Sequence, residues 1–189
     1  MSVQLHALRT GMLKALKNPS WDKKKKTAFW SAGSRGGPKK PKSRGFRSNL
    51  YAIKSELINI SDADTRLEEY AQYQFQIYAY GRCGWSRRLR ELTYMQAVVF
   101  METSNCTEYF TSFFRPGVDY VPVAEDFSDL NEKIKQISLD PQLALSISQN
   151  WLARGENIFS LSCLLGYIDA LIRQYAKLQT FQPKEQPDW

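Results

Sequence analysis

Histidine and cysteine are scarce in this chain, and their scarcity excludes several kinds of chemistry. The 189 residues include one histidine, His6, and three cysteines, Cys83, Cys106 and Cys163. A single histidine leaves almost no material for a Ser-His-Asp or Cys-His catalytic pair. The cysteines are odd in number and lack the close spacing of a zinc site, so we expect neither a bound metal nor a disulfide framework.

Long apolar runs are also missing. A membrane-spanning helix needs about 18 or more apolar residues in a row. The longest candidate, 158–172, is interrupted by Ser160, Ser162, Gly166 and Asp169. We therefore interpret it as a core-facing helix and predict no transmembrane segment in this chain. Charged residues also interrupt the N-terminal apolar residues, which leaves no clean secretory signal. The protein is then either intracellular or lacks its true N-terminus.

Acidic residues are almost absent from the first 50 positions. That segment has thirteen Lys and Arg against one acid, Asp22, whereas the rest of the chain has thirteen basic and eighteen acidic residues. The lysine clusters Lys23–Lys26 and Lys39–Lys42 could form an arm that binds nucleic acid or another anionic surface. Few aromatic residues accompany them, and no RNA-binding or helix-turn-helix pattern occurs. We interpret both clusters as solvated loop and expect no nucleic-acid partner.

The sequence does contain an alternation of strand and helix patterns. Strand-like patterns occur at residues 27–30, 70–80, 97–101 and 120–123. Helical spacing of apolar residues occurs at 3–16, 50–57, 129–137, 140–155 and 158–178. Asp129 and Glu132 have the spacing of a capping box, and Asp140 before Pro141 marks another helix start. Alternating strands and helices predict an α/β fold, a Rossmann-like parallel sheet with flanking helices.

The strongest candidate site is the turn that follows the 70–80 strand, whose alternation predicts one buried face. The turn reads C-G-W-S-R-R at positions 83–88 and leads into an arginine-rich helix. A helix N-terminus exposes unpaired N–H groups and the positive end of the helix dipole, which suits a phosphate. We predict Arg88 as a phosphate ligand and Ser86 as the N-cap. Trp85 and Cys83 are interpreted as packing and turn residues.

Other prominent side chains have a structural interpretation. Phe110, Phe113 and Phe114 predict a buried aromatic cluster in a loop that could border the ligand pocket. Asp126 and Asp129 are interpreted as caps, because they have no histidine or neighbouring acid with which to hold a metal ion.

Three blocks carry a resemblance to a known family. They are Y-Q-F-Q-I-Y-A-Y-G-R-C-G-W-S-R-R-L at 73–89, A-V-V-F-M-E at 97–102 and E-Y-F-T-S-F-F-R-P-G-V-D-Y-V-P-V-A-E-D-F-S-D-L at 108–130. In this order and spacing they resemble glycosyltransferase family 90, the capsule-associated-protein (CAP10-type) and protein O-glucosyltransferase family. Weaker similarity at 29–36, 47–50 and 153–159 extends the resemblance to about residues 21–178.

The resemblance implies the donor-binding half of a two-domain, GT-B-type glycosyltransferase that binds UDP-glucose or UDP-xylose without a metal ion. Ser86 and Arg88 fall on the family's donor-binding Ser-x-Arg pair. The surrounding turn then consists of Cys83, Gly84, Trp85 and Arg87.

An earlier block of the family extends the implied donor site. Ser34 and Arg47 fall on its Ser and Arg. Two departures accompany this assignment. Tyr80 precedes Gly81 where the family often has Asp, and extra residues rich in Lys, Gly and Pro separate Ser34 from Arg47.

The resemblance further implies that catalysis needs more than these residues. The family's catalytic base lies in an N-terminal domain, whereas residues 1–20 contain no acid, so the catalytic residues stay unassigned. We divide the chain into a helical segment (1–20), a donor-binding domain (21–180) with a basic loop (31–45), and a tail (181–189). The expectation is a truncated transferase that acts on a protein or glycan hydroxyl. Its site of action would be the lumen of the endoplasmic reticulum or Golgi if a signal segment is missing upstream. The alternatives are a nonenzymatic basic binding module and a catalytically inactive remnant.

Overall fold

A parallel sheet of five strands forms the centre of the protein. The computed structural model describes residues 18–31, 48–61, 65–80, 88–104 and 108–181. Its strands are β1 (Lys25–Ser31), β2 (Ile58–Ser61), β3 (Tyr73–Tyr78), β4 (Val98–Glu102) and β5 (Val121–Val123), in the order β2-β1-β3-β4-β5. Every neighbouring pair is parallel. The predicted α/β, Rossmann-like sheet is therefore confirmed.

Helices flank this sheet. In the described ranges they are α1 (Ser48–Ala52), α2 (Leu67–Tyr70), α3 (Arg88–Leu92), α4 (Leu130–Leu139), α5 (Pro141–Ile158) and α6 (Leu161–Lys177). Side-chain caps begin the two longest. Asp140 accepts a hydrogen bond from the Leu143 amide at 2.9 Å at the start of α5, and Ser160 accepts one from the Cys163 amide at 3.1 Å at the start of α6.

Alternating side chains of the strands build a core on each face of the sheet. In β4, Val99 and Met101 point to one face, and Val98 and Phe100 point to the other. The first face packs against α2, α3 and the C-terminal half of α5. The second packs against α1, α4 and the N-terminal half of α5. Since both faces are covered, the inner strand β4 is apolar as far as Met101, as expected for a parallel strand buried on both faces.

The strand order reverses between β1 and β3. From β1 the chain moves outward to β2, crosses back to β3 on the other side of β1, and continues outward through β4 and β5. In doubly wound sheets, ligands bind outside the carboxyl ends of the strands at such a switch point. Here those ends are Ser31 of β1 and Tyr78 of β3, which places the expected crevice between them.

Two predictions about these elements were wrong, and one strand was not predicted. The strand predicted at 70–80 is buried on both faces rather than one, and it begins at Tyr73 because Tyr70 ends α2. The helix predicted through 50–57 stops at Ala52. The sequence that follows forms β2, which sequence reasoning missed because this edge strand has four residues and its Asn59 and Ser61 are polar.

Helix α6 differs from the predicted core-facing helix. Every large apolar residue on one side of it is exposed, among them Leu171 (53%), Ile172 (61%) and Tyr175 (73%). The predicted segment is also divided, since Ile158 ends α5 and Ser160 begins the next helix. In the described ranges no single helix has the length and apolar content of a membrane span, although α5 and α6 together pass that test as a pair bent by 58°.

The lysines at 23–26 do not form a loop, although Lys23, Lys25 and Lys26 are exposed as predicted, and Lys39–Lys42 lie outside the described residues. The lysines at 23–26 end a short 3-10 turn and begin β1, and Lys24 is 4% exposed. Its Nζ donates to Asn18 Oδ1 at 2.5 Å and to the carbonyls of Ala71 and Met95, both at 2.6 Å. Burial lowers the pKa of Lys24 to about 8. The ammonium group therefore ties together the segments that enter β1, β3 and β4.

Candidate functional site at the carboxyl ends of the strands

Arg88 is the one predicted donor-binding residue within the described residues. It opens α3, where its side chain is half-buried, and the buried Leu89 and Leu92 hold the short helix against the core. The other predicted residues lie outside the described ranges, and their roles stay predictions: Ser34, Arg47, Cys83, Gly84, Trp85, Ser86 and Arg87.

The Arg88 guanidinium reaches the switch point of the sheet. Its Nη1 donates to the carbonyl oxygen of Ser31, the last residue of β1. Its Cζ lies over the Tyr70 ring, 5.3 Å from the ring centroid. The predicted phosphate ligand therefore lies where the fold places a ligand crevice.

Tyr70 supports this arrangement from below. Its ring is buried and packs edge-to-face with Phe29 at a centroid separation of 4.7 Å. Its hydroxyl donates to the same Ser31 carbonyl at 3.2 Å. Burial raises the pKa of Tyr70, which keeps the phenol protonated as a donor, although the Arg88 charge acts in the opposite direction.

Two carboxylates occupy the neighbouring part of the same sheet edge. Glu102, the last residue of β4, is buried, and its Oε2 accepts a hydrogen bond from the Tyr80 amide at 2.8 Å. Glu108 Oε1 lies 3.5 Å from the Tyr78 hydroxyl. Burial raises the pKa of Tyr80, and the negative charges of Glu102 and Glu108 add to this increase. This part of the edge therefore combines neutral phenols with carboxylates.

Sequence reasoning missed both glutamates. The available signal was the position of Glu102, because a charged residue that ends the apolar run A-V-V-F-M lies at the carboxyl end of a parallel strand. For Glu108 no comparable signal exists, since the loop after β4 brings it back to the sheet edge.

The loop after β4 is mainly structural. Phe110 and Phe114 are buried as predicted, but Phe113 is 43% exposed, so the prediction of a fully buried cluster was wrong at that residue. Phe114 stacks on Trp151 of α5 at a centroid separation of 4.2 Å. The exposed Phe113 belongs to the 3-10 turn Thr111–Phe113.

A buried carboxylate fixes the turn that leads into β5. Asp119 is fully buried and pairs with Arg115 at 2.8 Å and with Arg154 of α5 at 3.4 Å. These contacts lower the pKa of Asp119 against the opposing effect of burial, which is the largest single influence. The ion pairs hold the loop against α5.

Asp126 and Asp129 have structural contacts, but the predicted capping box of Asp129 and Glu132 was wrong. Asp126 accepts a hydrogen bond from the Ser128 amide at 3.0 Å, and Asp129 accepts one from the Ala124 amide at 2.8 Å. Helix α4 does follow Asp129, but this carboxylate makes no capping bond to the helix, because it is engaged by Ala124 and by Lys133 at 2.6 Å. Across the described ranges no group of three or more His, Cys, Asp or Glu side chains is arranged to hold a metal ion.

Comparison with known proteins identifies the class to which this fold and site belong. Residues 3–189 match the sequence profile of Glycosyl transferase family 90. The match covers nearly the whole chain, and the protein therefore belongs to this family.

Individual relatives are distant. The chain is 22% identical over 194 residues to "Protein O-glucosyltransferase 1" of Rattus norvegicus, which covers 96% of this chain and 49% of that protein. It is 24% identical over 191 residues to "O-glucosyltransferase rumi homolog" of Aedes aegypti, with 93% and 47% covered. It is 28% identical over 202 residues to "Protein O-glucosyltransferase 2" of Danio rerio, with 97% and 37% covered. The chain thus spans about half or less of the length of these relatives.

Proposed function

We propose that this chain binds a UDP-sugar, UDP-glucose or UDP-xylose, as the donor-binding part of a GT-B-type glycosyltransferase. The observation that carries the proposal is the position of Arg88, a half-buried cation at the switch point of a doubly wound sheet. Family membership supports a sugar donor. The names of the relatives support a protein hydroxyl as acceptor, and a glycan hydroxyl remains an alternative.

The chemistry of Arg88 suits a diphosphate. When a sugar leaves UDP, negative charge develops on the phosphate oxygens that are released. A guanidinium forms charge-assisted hydrogen bonds with such oxygens and stabilises them most strongly where water is partly excluded. We propose that Ser86, Arg87 and the amides of residues 83–85 complete this contact together with Ser34 and Arg47, and that no metal ion is required.

The carboxylate side of the edge suits hydroxyl groups. Carboxylates accept hydrogen bonds from hydroxyls, and neutral phenols can donate or accept them. Glu108 and Tyr78, beside the β3 end, are therefore proposed to contact the hydroxyls of the ribose or the sugar. A donor that lies across the edge would place its phosphates at Arg88 and its hydroxyls at the glutamate side.

These residues support donor binding and leave the catalytic base unassigned. We therefore propose that the chain contributes the donor side of the reaction, in the lumen of the endoplasmic reticulum or Golgi. A binding protein without turnover would use the same residues, and hydrolysis of UDP-glucose in the absence of acceptor distinguishes the two.

Calorimetric titration with UDP and UDP-glucose tests the proposal. We expect Arg88→Ala to weaken UDP binding about 10- to 100-fold, as loss of a charged hydrogen bond predicts. Arg90→Ala is the matched control, because Arg90 lies on the same short helix and is exposed. Its effect should stay within about twofold. Absence of UDP binding by folded protein, or equal losses in the two variants, would contradict the proposal.

The basic-module alternative has its own signature. It predicts RNA binding that weakens steeply with salt and survives Arg88→Ala. The exposed Lys25 and Lys26 would contribute to it, whereas the buried Lys24 would not. Loss of RNA binding in a Lys25→Ala and Lys26→Ala double variant, together with no UDP binding, would favour this alternative.

A further inference from the structure

We infer that Tyr70 is a positioning residue that holds the Arg88 guanidinium at the switch point, an inference that rests on the proposed donor site. The Ser31 carbonyl accepts hydrogen bonds from both the Tyr70 hydroxyl and Arg88. The face of the same Tyr70 ring lies below the guanidinium. One tyrosine thus contacts the arginine directly and also shares its hydrogen-bond acceptor.

The Tyr70 ring and the Ser31 carbonyl, which we call the arginine seat, matter because an arginine side chain is flexible. An arginine side chain loses a large rotamer entropy when it is immobilised, and binding is stronger when this loss has already occurred in the free protein. Contact between a guanidinium and an aromatic face is attractive, and it strengthens when the pair is partly removed from water. A guanidinium has five N–H donors in a planar fork, so one group can bond a carbonyl oxygen and phosphate oxygens at the same time.

Packing against β1 and β3 holds the Tyr70 ring of this arginine seat in place. Tyr70 is 2% exposed and packs edge-to-face on Phe29 of β1, which stacks on Tyr73 of β3 at a centroid separation of 4.4 Å. The Tyr70 carbonyl accepts a hydrogen bond from Gln76 Nε2 at 2.5 Å. The ring therefore cannot move without disturbing the two strands whose carboxyl ends form the switch point.

Two variants separate the contributions of the ring and the hydroxyl. Tyr70→Phe keeps the ring below Arg88 and removes the bond to Ser31, and we expect UDP binding to weaken about twofold. Tyr70→Leu removes the ring as well, and we expect a loss of about tenfold. If the leucine variant does not fold, the twofold effect of Tyr70→Phe decides, provided that it disappears in the Arg88→Ala background.

A double-mutant cycle distinguishes positioning from general support of the fold. If Tyr70 acts through Arg88, Tyr70→Leu should weaken UDP binding in the wild-type background and leave it unchanged in the Arg88→Ala background. Its destabilising effect should be smaller in the Arg88→Ala background, because the contact between the ring and the guanidinium is already lost there. Wild-type UDP affinity in Tyr70→Leu, with loss of affinity in Arg88→Ala, would overturn the inference. So would equal losses in both backgrounds.

A ligand-free measurement separates this inference from the proposed function. Nitrogen relaxation of the Arg88 Nε–H group, assigned through its loss in Arg88→Lys, reports the order of the guanidinium without nucleotide. We expect an ordered group in the wild type and a more mobile one in Tyr70→Leu. If UDP does not bind, the proposed function fails. Greater mobility of the Arg88 guanidinium in Tyr70→Leu would then still support the inference that Tyr70 positions it. Unchanged mobility would overturn that inference.

Discussion

The amino and carboxyl ends of the sheet use their cationic side chains in opposite ways. At the amino end, the Lys24 ammonium is buried and each of its three N–H groups has an oxygen partner. At the carboxyl end, Arg88 is half-buried at the switch point, with Glu102 and Glu108 further along the same edge. Both cations come from clusters of basic residues that look equivalent in sequence.

The difference shows that surroundings, and not charge, decide the role of a basic residue. A lysine whose donors are all satisfied inside the protein can stabilise the fold but cannot bind a ligand. The half-buried arginine at the switch point of the sheet is the residue that we propose binds a ligand. Variants at the amino end should therefore change stability and leave nucleotide binding intact. Variants of Arg88 should weaken nucleotide binding and leave stability largely intact.

The largest stability effect is expected from Lys24→Met. The variant leaves the Ala71 and Met95 carbonyls buried without their donor, so we expect the unfolding free energy to fall by about 3 kcal/mol. Lys26→Met is the matched control, since Lys26 is exposed, and it should change stability by less than about 0.5 kcal/mol. Denaturant unfolding measures both. Equal stabilities of Lys24→Met and Lys26→Met would contradict the structural role of the amino end. Loss of UDP binding in a folded Lys24→Met protein would contradict the separation of roles between the two ends.

A second amino-end contact should give an effect of about 2 kcal/mol. An added Cβ at Gly155 of α5 would lie 2.3 Å from Cγ2 and 2.8 Å from Oγ1 of Thr93, in the turn that leads to β4. Gly155→Ala is therefore expected to destabilise the protein by about 2 kcal/mol through overpacking. Gly166→Ala in α6 is its control, because no atom lies within 4 Å of the added Cβ. That variant should gain up to about 1 kcal/mol of helix stability.

Thermal unfolding of the two glycine variants provides the measurement. Addition of Thr93→Ala to Gly155→Ala should recover part of the lost stability, because it removes the atoms that clash. A Gly155→Ala protein as stable as Gly166→Ala would contradict the close packing of α5 on this turn.

The pH dependence of stability should report the buried lysine. Burial lowers the pKa of Lys24 to about 8 from 10.5. Between these values the folded protein releases the proton while the unfolded chain keeps it, so the unfolding free energy should rise with pH. Between pH 8 and 9 the expected gain is about 1 kcal/mol.

The Lys24→Met variant separates the contribution of Lys24 to the pH dependence of stability from the contribution of tyrosine ionisation. The difference in unfolding free energy between wild type and variant should widen from pH 8 to pH 9.5. If the difference stays constant, the three carbonyl and amide oxygens hold the ammonium protonated and outweigh its burial.

The smallest effect is expected at the carboxyl end, from Glu102→Gln. An amide oxygen can still accept the Tyr80 hydrogen bond, and stability should change by less than about 1 kcal/mol. The loss of the negative charge should lower the raised pKa of Tyr80 towards its ordinary value. Ultraviolet titration of the tyrosines, with Tyr80→Phe to assign the signal, measures this shift. An unchanged titration would show that burial alone sets the pKa of Tyr80.

The α/β fold and the position of Arg88 could be predicted from the sequence. Apolar runs and alternation located four of the five strands, because burial on a sheet leaves a local pattern. Edge strand β2 lacks that pattern, since Asn59 and Ser61 alternate with its two isoleucines. The position of Arg88 at the carboxyl edge was predictable, because a strand-to-helix turn marks that edge in any parallel sheet, whereas its role in ligand binding stays a prediction.

The remaining site residues depend on tertiary structure. Tyr70 and Ser31 are separated by 39 positions, and they meet because β1 and β3 are neighbours. That neighbourhood results from the strand order, for which the local sequence contains no signal. The burial of Lys24 could not be predicted from the local sequence either. Of the four neighbouring lysines only Lys24 is buried, because the Ala71 and Met95 carbonyls approach it in the folded protein.

Helix α6 gives the protein a calorimetric signature. One side of it exposes seven large apolar residues, and Leu178 and Phe181 beyond its end are exposed as well; the seven are Leu161, Leu164, Leu165, Ile168, Leu171, Ile172 and Tyr175. Any surface that covers this side removes several hundred Å² of apolar area from water, which lowers the heat capacity by a few tenths of a kcal/mol/K. A nucleotide that contacts the sheet edge alone leaves that area exposed to water. The temperature dependence of a binding enthalpy therefore reveals whether a ligand contacts the sheet edge alone or also brings α6 out of solvent.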